Sequence, residues 1–86
     1  MFYVYVLKSL KDQKHYIGQT NDLKRRFEEH NNGLSTSTKH RRPFKLVFYE
    51  AYVVRKDAVI REMKLKKFKN GYTELKKRLK YTLEKN

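Results

Sequence analysis

Two short aromatic stretches near the start of the chain carry side chains that suit phosphate chemistry. They are Tyr3-Val4-Tyr5 and, eleven residues after Tyr5, Tyr16-Ile17-Gly18, and their phenols can hold or take up a proton. A polar segment follows with Arg26, whose fork of donors suits phosphate oxygens, and His30, a residue type that can exchange protons near neutral pH. Phenols, an arginine and a histidine in one half of a small chain indicate chemistry on a phosphate ester.

Arg26 and His30 are expected on a helix. Capping residues at 20–22 precede it, and the helix is predicted to end near Asn32, before Gly33. Arg26 lies beside the apolar face, so both basic side chains are carried back toward the tyrosines. The alternative is that Arg26 is a solvated cation and His30 a boundary residue. The residues that share the apolar face are Leu23, Phe27 and His30.

One carboxylate falls where an apolar side chain is expected. A second helix is predicted from Asp57 to about Lys69, and Glu62 lies inside its apolar arc. Burying a carboxylate costs several kcal/mol unless a cation compensates. An internal salt bridge with Lys66, one turn on, is one explanation. The other is Mg²⁺, which a single carboxylate can hold together with waters and phosphate oxygens. The arc consists of Ala58, Val59, Met63 and Leu65.

A small sheet must position these side chains. Phe2 to Leu7 predicts a strand buried on both faces, and residues 15–18 predict a second strand that completes a hairpin. Gly18 ends that strand, at a place where a close approach of the backbone is expected. After a loop at 34–43, residues 44–52 predict a third strand, central or half-covered. Asn70-Gly71 is expected to break the second helix, and a basic helix is predicted from about 73 to 85. The order ββαβαα predicts an α+β fold, a three-stranded antiparallel sheet flanked by helices.

Composition limits the class of protein. The 86 residues allow one domain, spanning 1–86, with its core at about 2–70. The lack of cysteine excludes a disulfide framework, and no apolar run approaches the roughly 20 residues that span a bilayer. Cytoplasmic residence and no membrane association are therefore expected. The net charge of +13 favours a polyanionic partner, nucleic acid above all, although a basic ribosome-associated protein is an alternative.

Basic residues cluster in two places that are predicted to contact phosphates. Lysine and arginine contacts to phosphates carry no base information, so little sequence preference is expected. The predicted contact residues are Lys39, Arg41 and Arg42 in the central loop, and Lys66, Lys67, Lys76, Lys77 and Arg78 on the last two helices.

Together these segments resemble the GIY-YIG nuclease superfamily. The matching stretches are YVYVLKS, HYIGQTNDLKRRFEEHNNG and REMKLKKF, within residues 2–70. The chain is similar to the small stand-alone bacterial type and to the N-terminal nuclease module of the excinuclease ABC catalytic subunit. Tyr3 replaces the family's glycine, and the Asn-Pro pair that commonly closes the domain is absent.

The resemblance implies roles for individual residues. Tyr16, helped by Tyr5 or His30, would accept a proton from the attacking water. Arg26 would stabilise the transition state, and Glu62 would bind Mg²⁺ or Mn²⁺ at the leaving 3′ oxygen. Because phenols titrate near 10, a tyrosine base requires nearby cations.

The function expected from this resemblance is metal-dependent hydrolysis of DNA phosphodiesters with little sequence specificity, in DNA repair or recombination. The alternative is a module with the same fold that binds DNA or RNA without cleaving it, or that acts only with a partner.

Overall fold

The computed structural model describes residues 1–67 and 69–84 and contains one three-stranded sheet. The strands are β1 (Phe2–Ser9), β2 (His15–Thr20) and β3 (Phe44–Tyr52). β1 is central and pairs antiparallel with both neighbours, in the order β2-β1-β3. Its central position explains why the strand is apolar or aromatic from Phe2 to Leu7, with residues 4–7 all buried. The predicted α+β class is confirmed.

Helices α1 (Leu23–Asn31) and α2 (Arg55–Lys67) follow the hairpin and β3, respectively. The N-cap of α1 is Asp22, whose carboxylate accepts a hydrogen bond of 3.1 Å from the Arg25 backbone N–H. α1 ends before Gly33, which has a φ of +76°, the left-handed conformation that glycine adopts at helix ends. The remaining helices are a short 3₁₀ helix (Lys39–Arg41), α3 (Lys69–Arg78) and α4 (Lys80–Glu84).

Alternation along β1 gives the sheet two apolar faces. Val4 and Val6 point to one face, where they form a core with residues of α2 and α3. Tyr5 and Leu7 point to the other face and pack with Phe44 against α1. The helices therefore sandwich the sheet, and Tyr5 lies beneath the helix that carries Arg26 and His30. The α2 and α3 residues in the first core are Ala58, Leu65 and Leu75.

The predicted break at Asn70-Gly71 is wrong. Both residues lie inside α3, and a Cβ placed on Gly71 would stand 2.7 Å from the carbonyl oxygen of Lys64 in α2. Gly71 therefore allows two helices to pack closely, a use of glycine that resembles a helix breaker in sequence. The basic helix predicted over 73–85 is instead α3 followed by α4. Lys85 and the Phe68 of the third matching stretch lie outside the described residues.

A hydrogen-bonded cluster holds α2 against β3. Arg61 Nε and Tyr52 Oη donate to Glu50 Oε1 over 2.9 and 2.6 Å. Although burial opposes ionisation, these hydrogen bonds lower the pKa of Glu50. The cluster fixes the part of α2 that carries Glu62, the neighbour of Arg61. Within residues 1–67 and 69–84, no helix combines the length and the apolarity needed to cross a membrane.

Candidate active site

A buried chain of three polar side chains lies between the sheet and α1. The Tyr5 hydroxyl is 2.9 Å from His30 Nε2, and His30 Nδ1 is 2.7 Å from Thr38 Oγ1. All three side chains are shielded from solvent, with relative exposures of 2% or less. Because both ring nitrogens are engaged, the orientation of His30 is fixed.

The environment keeps Tyr5 and His30 uncharged at neutral pH. Burial, reinforced by the neighbouring Tyr16 and only partly offset by Arg26, raises the pKa of Tyr5 to about 12. Burial, together with the positive charge of Arg26, lowers the pKa of His30 to about 4. A neutral imidazole donates from one nitrogen and accepts at the other, which suits a hydroxyl on each side. Tyr5 and His30 therefore form a rigid, neutral wall of the site.

The position of the Tyr5 side chain requires a glycine at position 18. The two residues face each other across β1 and β2, and a Cβ on Gly18 would overlap the Tyr5 hydroxyl and ring. The expected close approach at Gly18 is thus the approach of a phenol to the backbone, which only a residue without a side chain permits.

Tyr16 lies beside the wall and differs from Tyr5 in its surroundings. Its ring centre is 5.1 Å from that of His30 and 6.4 Å from that of Tyr5. The side chain is only half-buried. Among the described residues, none forms a hydrogen bond with the Tyr16 hydroxyl. Of the two phenols, Tyr16 is the one whose oxygen is available to a bound molecule.

Arg26 reaches the same place from α1. Its Nη1 donates to Glu29 Oε1 over 3.0 Å, and its Nη2 donates to Ser35 Oγ over 3.3 Å. Burial opposes the charge, but the interactions with Glu29 and the Tyr5 hydroxyl outweigh it and raise the pKa of Arg26. The guanidinium is therefore a permanent, oriented cation beside Tyr5 and Tyr16.

Glu62 approaches the site from α2. Its charge acts on Tyr5, and its side chain is 19% exposed. The Lys66 ammonium lies 3.0 Å from Glu62 Oε2 and 5.6 Å from the centre of the Tyr16 ring. The salt bridge that the sequence offered as an explanation for Glu62 is thus present. The predicted apolar arc is wrong at Met63, which is 41% exposed, because α2 covers the sheet with a narrower stripe than predicted.

The carboxylate of Glu62 suits one kind of metal site. No group of three potential ligands from His, Cys, Asp or Glu exists within residues 1–67 and 69–84, which does not favour an all-protein metal cage. However, the place beside Glu62 already accepts the positive charge of Lys66. Mg²⁺ fits such a place when waters and substrate phosphate oxygens complete its coordination.

The predicted phosphate contacts divide into exposed and engaged side chains. Arg41 Nε is 2.8 Å from Asp12 Oδ2, and the Arg41 side chain is 27% exposed, so its charge is largely neutralised within the protein. Arg42 donates from Nε to the Lys39 carbonyl oxygen. Lys77 forms a distant pair with Glu74 on the surface of α3. The exposed residues of the predicted set are Lys39, Arg42, Lys66, Lys67, Lys76, Lys77 and Arg78.

Two site residues were missed in the sequence. Ser35 and Thr38 are buried in the central loop, where they contact Arg26 and His30, respectively. The Ser35 carbonyl also accepts hydrogen bonds from the backbone of Thr38 and Lys39, which starts the 3₁₀ helix. In the sequence, the only indication of these two residues is the i, i+3 spacing of two hydroxyl side chains before a basic turn. Because residues 35–38 are all Ser or Thr, that spacing does not show which two of the four are buried.

The structure therefore brings together all five predicted site residues, but it changes the role of one. His30 has no exposed surface and contacts Tyr5, so it positions Tyr5 instead of touching a bound molecule. A half-exposed phenol, a fixed guanidinium and a carboxylate remain around one surface. This set can orient a phosphodiester, remove a proton from a water and stabilise negative charge.

Comparison with known proteins agrees with this fold. The family model of the GIY-YIG catalytic domain matches residues 1–76. This chain belongs to the GIY-YIG family, a superfamily of nucleases.

Individual relatives carry no assigned activity in their names. The chain is 44% identical over 68 residues to a UPF0213 protein of Clostridium perfringens, covering 78% of this chain and 72% of that protein. It is 39% identical over 74 residues to a UPF0213 protein of Bacillus subtilis, covering 85% and 74%. The solution NMR structure of a UPF0213 protein from Bacillus halodurans superposes with a TM-score of 0.57 at 32% identity, covering 98% and 94% of the two chains. The predicted family and fold are confirmed.

Proposed function

We propose that this protein is a metal-dependent endonuclease that hydrolyses DNA phosphodiester bonds with little sequence preference. The observation that carries the proposal is the convergence of Tyr16, Arg26 and Glu62 around the neutral Tyr5–His30 wall. The hydroxyl of Tyr16 makes no hydrogen bond to any described residue. A protein that only bound nucleic acid would have no use for a carboxylate facing the phosphate.

The chain's own residues can carry out the displacement. A water attacks the phosphorus in line with the P–O3′ bond, which breaks as the new P–O bond forms. The water's proton passes to the Tyr16 phenolate. Lys66 and Arg26 place positive charge beside this ring, which stabilises the negative charge that the base must carry. Tyr5 stays protonated, because its pKa is about 12, and it keeps Arg26 in place.

Arg26 stabilises the charge that develops on the phosphoryl oxygens. Glu29 and Ser35 already orient its guanidinium, so little reorganisation is needed during the reaction. When Mg²⁺ is bound, Glu62 would hold it, and the ion would supply charge neutralisation at the leaving oxygen. The Lys66 ammonium, which pairs with Glu62, would then be free to pair with a phosphate. The proposal includes a role in DNA repair or recombination, where endonucleases without sequence preference are used.

A nicking assay tests the proposal. Supercoiled plasmid is incubated with the protein in Mg²⁺, in Mn²⁺ and in EDTA, with Glu62→Gln as the matched inactive variant. We expect nicked circles only with the unaltered protein and a divalent metal. Nicking that continues in EDTA, or that Glu62→Gln performs at the same rate, would contradict the metal site.

The alternative is a nucleic-acid-binding module without catalysis. The Lys66–Glu62 ion pair favours it, because a carboxylate that is permanently paired has no role in binding metal. Tight binding of DNA or RNA with no nicking under any metal condition would support this alternative.

A further inference from the structure

A second groove adjoins the candidate active site on the side of α2 and α3. Its volume is about 550 Å³, and it shares Tyr16 and Lys66 with the site. The far wall is formed by Tyr72 of α3 and His15 of β2. The proposed mechanism uses neither of these two residues.

His15 and Tyr72 are paired with each other on the far wall of this groove. His15 Nδ1 is hydrogen-bonded to the Tyr72 hydroxyl, and the two rings meet edge to face at 6.2 Å. His15 Nε2 is buried and has no hydrogen-bond partner, the one such side-chain atom found among residues 1–67 and 69–84. An orphaned buried nitrogen costs stability, and such a group calls for a functional explanation.

The electrostatic character of the groove is positive. Lys14 and Lys66 line it, and no carboxylate is among its described lining residues. The ammonium of Lys76 lies 5.2 Å from the centre of the Tyr72 ring. Burial, with the positive charges around it, lowers the pKa of His15, so the histidine adds no charge of its own and the lysines determine the positive character of the groove.

We infer that this groove binds one unpaired nucleotide of the DNA strand, next to the phosphate at the Tyr16 site. Aromatic rings interleaved with lysines are the surface on which single-stranded nucleic acid stacks and pairs its phosphates. A groove of this volume is of the size that encloses a small ligand, whereas a base pair with two backbones is much larger.

The substrate class that follows is duplex DNA with a single-stranded extension or branch. This inference rests on the proposed function, because it places the nucleotide relative to the scissile phosphate. The groove itself is defined by the protein alone, so its affinity for DNA can be measured without cleavage.

Fluorescence anisotropy in EDTA tests the inference. The probes are one labelled duplex with a blunt end and the same duplex with a short oligothymidine extension. We expect the unaltered protein to prefer the extended probe and Tyr72→Leu to reduce that preference about tenfold, since stacking of one base contributes roughly 1–3 kcal/mol. The blunt duplex should bind both proteins equally.

Tyr81→Leu is the matched control. Tyr81 also has a lysine over its ring, Lys80 at 5.9 Å, but Tyr81 is 73% exposed and does not line the groove. Its variant should keep the preference. If Tyr81→Leu loses the preference to the same extent, or Tyr72→Leu weakens both probes alike, the groove does not select unpaired nucleotides.

A second variant covers the case in which Tyr72→Leu is unstable. Tyr72→Phe keeps the ring and removes only the hydroxyl, so it should retain the preference and a cooperative thermal transition. Loss of the preference in a folded Tyr72→Phe protein would overturn the stacking argument. If the unaltered protein binds neither probe, the proposed function fails first. If it binds both equally, only the present inference fails.

Discussion

The Tyr5 hydroxyl and His30 Nε2 lie 2.9 Å apart inside the protein, where neither side chain meets solvent. This hydrogen bond joins the central strand to α1 and orients the phenol next to Arg26. Both groups are neutral in this hydrogen bond. The arrangement is therefore stable only while the imidazole of His30 is unprotonated on one of its two nitrogens. The stability of the fold and the geometry of the site are therefore linked through one histidine.

The stability of the protein should fall as the pH drops from about 6.5 to about 4. The folded pKa of His30 is about 4, below the ordinary value of 6.5, so the unfolded chain binds the proton first. The full stabilisation is present above pH 6.5, and on the order of 3 kcal/mol is lost by pH 4. Urea unfolding at several pH values would measure this loss.

His30→Gln should flatten this pH dependence, and His40→Gln, at an exposed histidine, should leave it unchanged. His15 and Glu50, whose pKa values are also lowered, contribute in the same direction and should account for the slope that remains in His30→Gln between pH 6.5 and 4. An unaltered slope in His30→Gln would show that His30 is not the sensor.

The two tyrosines should differ when each loses its hydroxyl. Tyr16→Phe should abolish nicking without loss of stability, because no described residue bonds to that hydroxyl. Tyr5→Phe should be slower but active, and less stable by about 1–3 kcal/mol, because a buried nitrogen of His30 loses its partner. Nicking rates and urea unfolding of both variants measure the difference. Full activity in Tyr16→Phe would exclude Tyr16 as the base.

Adjacent arginines provide a matched pair on α1. Arg26→Ala should reduce the nicking rate by about 10² or more, the scale for loss of a principal transition-state donor. Arg25→Ala should leave the nicking rate nearly unchanged, because the Arg25 side chain is 62% exposed and its Nε lies 3.9 Å from Glu29 Oε2. Equal losses in single-turnover rates would mean that both arginines act only through bulk charge.

Lys66 should compete with a metal ion for Glu62. In the absence of DNA, Lys66→Met should bind Mn²⁺ about two- to fivefold more tightly than the unaltered protein, the range for a partly exposed ion pair. Glu62→Gln should bind none at this site, while its affinity for DNA in EDTA stays unchanged or rises. Calorimetric titration with Mn²⁺ gives both values, and identical affinities in all three proteins would place the metal elsewhere.

DNA binding should depend strongly on salt. If about four to six phosphates are neutralised, log K should fall against log salt with a slope of roughly −4 to −5. Reversing the charges of the exposed Lys77 and Arg78 should weaken all sequences alike without changing turnover at saturation. A slope near zero, or strong preference for one sequence over its scrambled version, would contradict binding through phosphates.

The sequence predicted the sheet and the first helix because these depend on short-range patterns. Residues 2–7 of β1 are an unbroken run of aromatic and aliphatic residues, and Arg26 and His30 are one helical turn apart on a capped helix. Such patterns are determined by residues close together in the chain. The family resemblance then linked both segments to Glu62.

Features that depend on packing between distant segments were not predicted. Gly71 resembles a helix breaker until the backbone of α2 is seen against it. Thr38 would be expected to be exposed, as most residues of a polar loop are, but its hydroxyl is buried against His30. The pairing of Arg41 with Asp12 joins residues 29 positions apart, so charge alone could not show that Arg41 is engaged.

The overlap that a side chain at Gly18 would cause with Tyr5 makes the two positions interdependent during evolution. Alanine at position 18 would displace the phenol, and this substitution becomes tolerable only after the ring at position 5 has been lost. Loss of the ring at position 5 leaves a void, which a larger residue at position 18 can then fill. Among homologues of this domain, departures from tyrosine and glycine should therefore occur together, and such pairs would mark lineages that have given up the catalytic arrangement while keeping the fold.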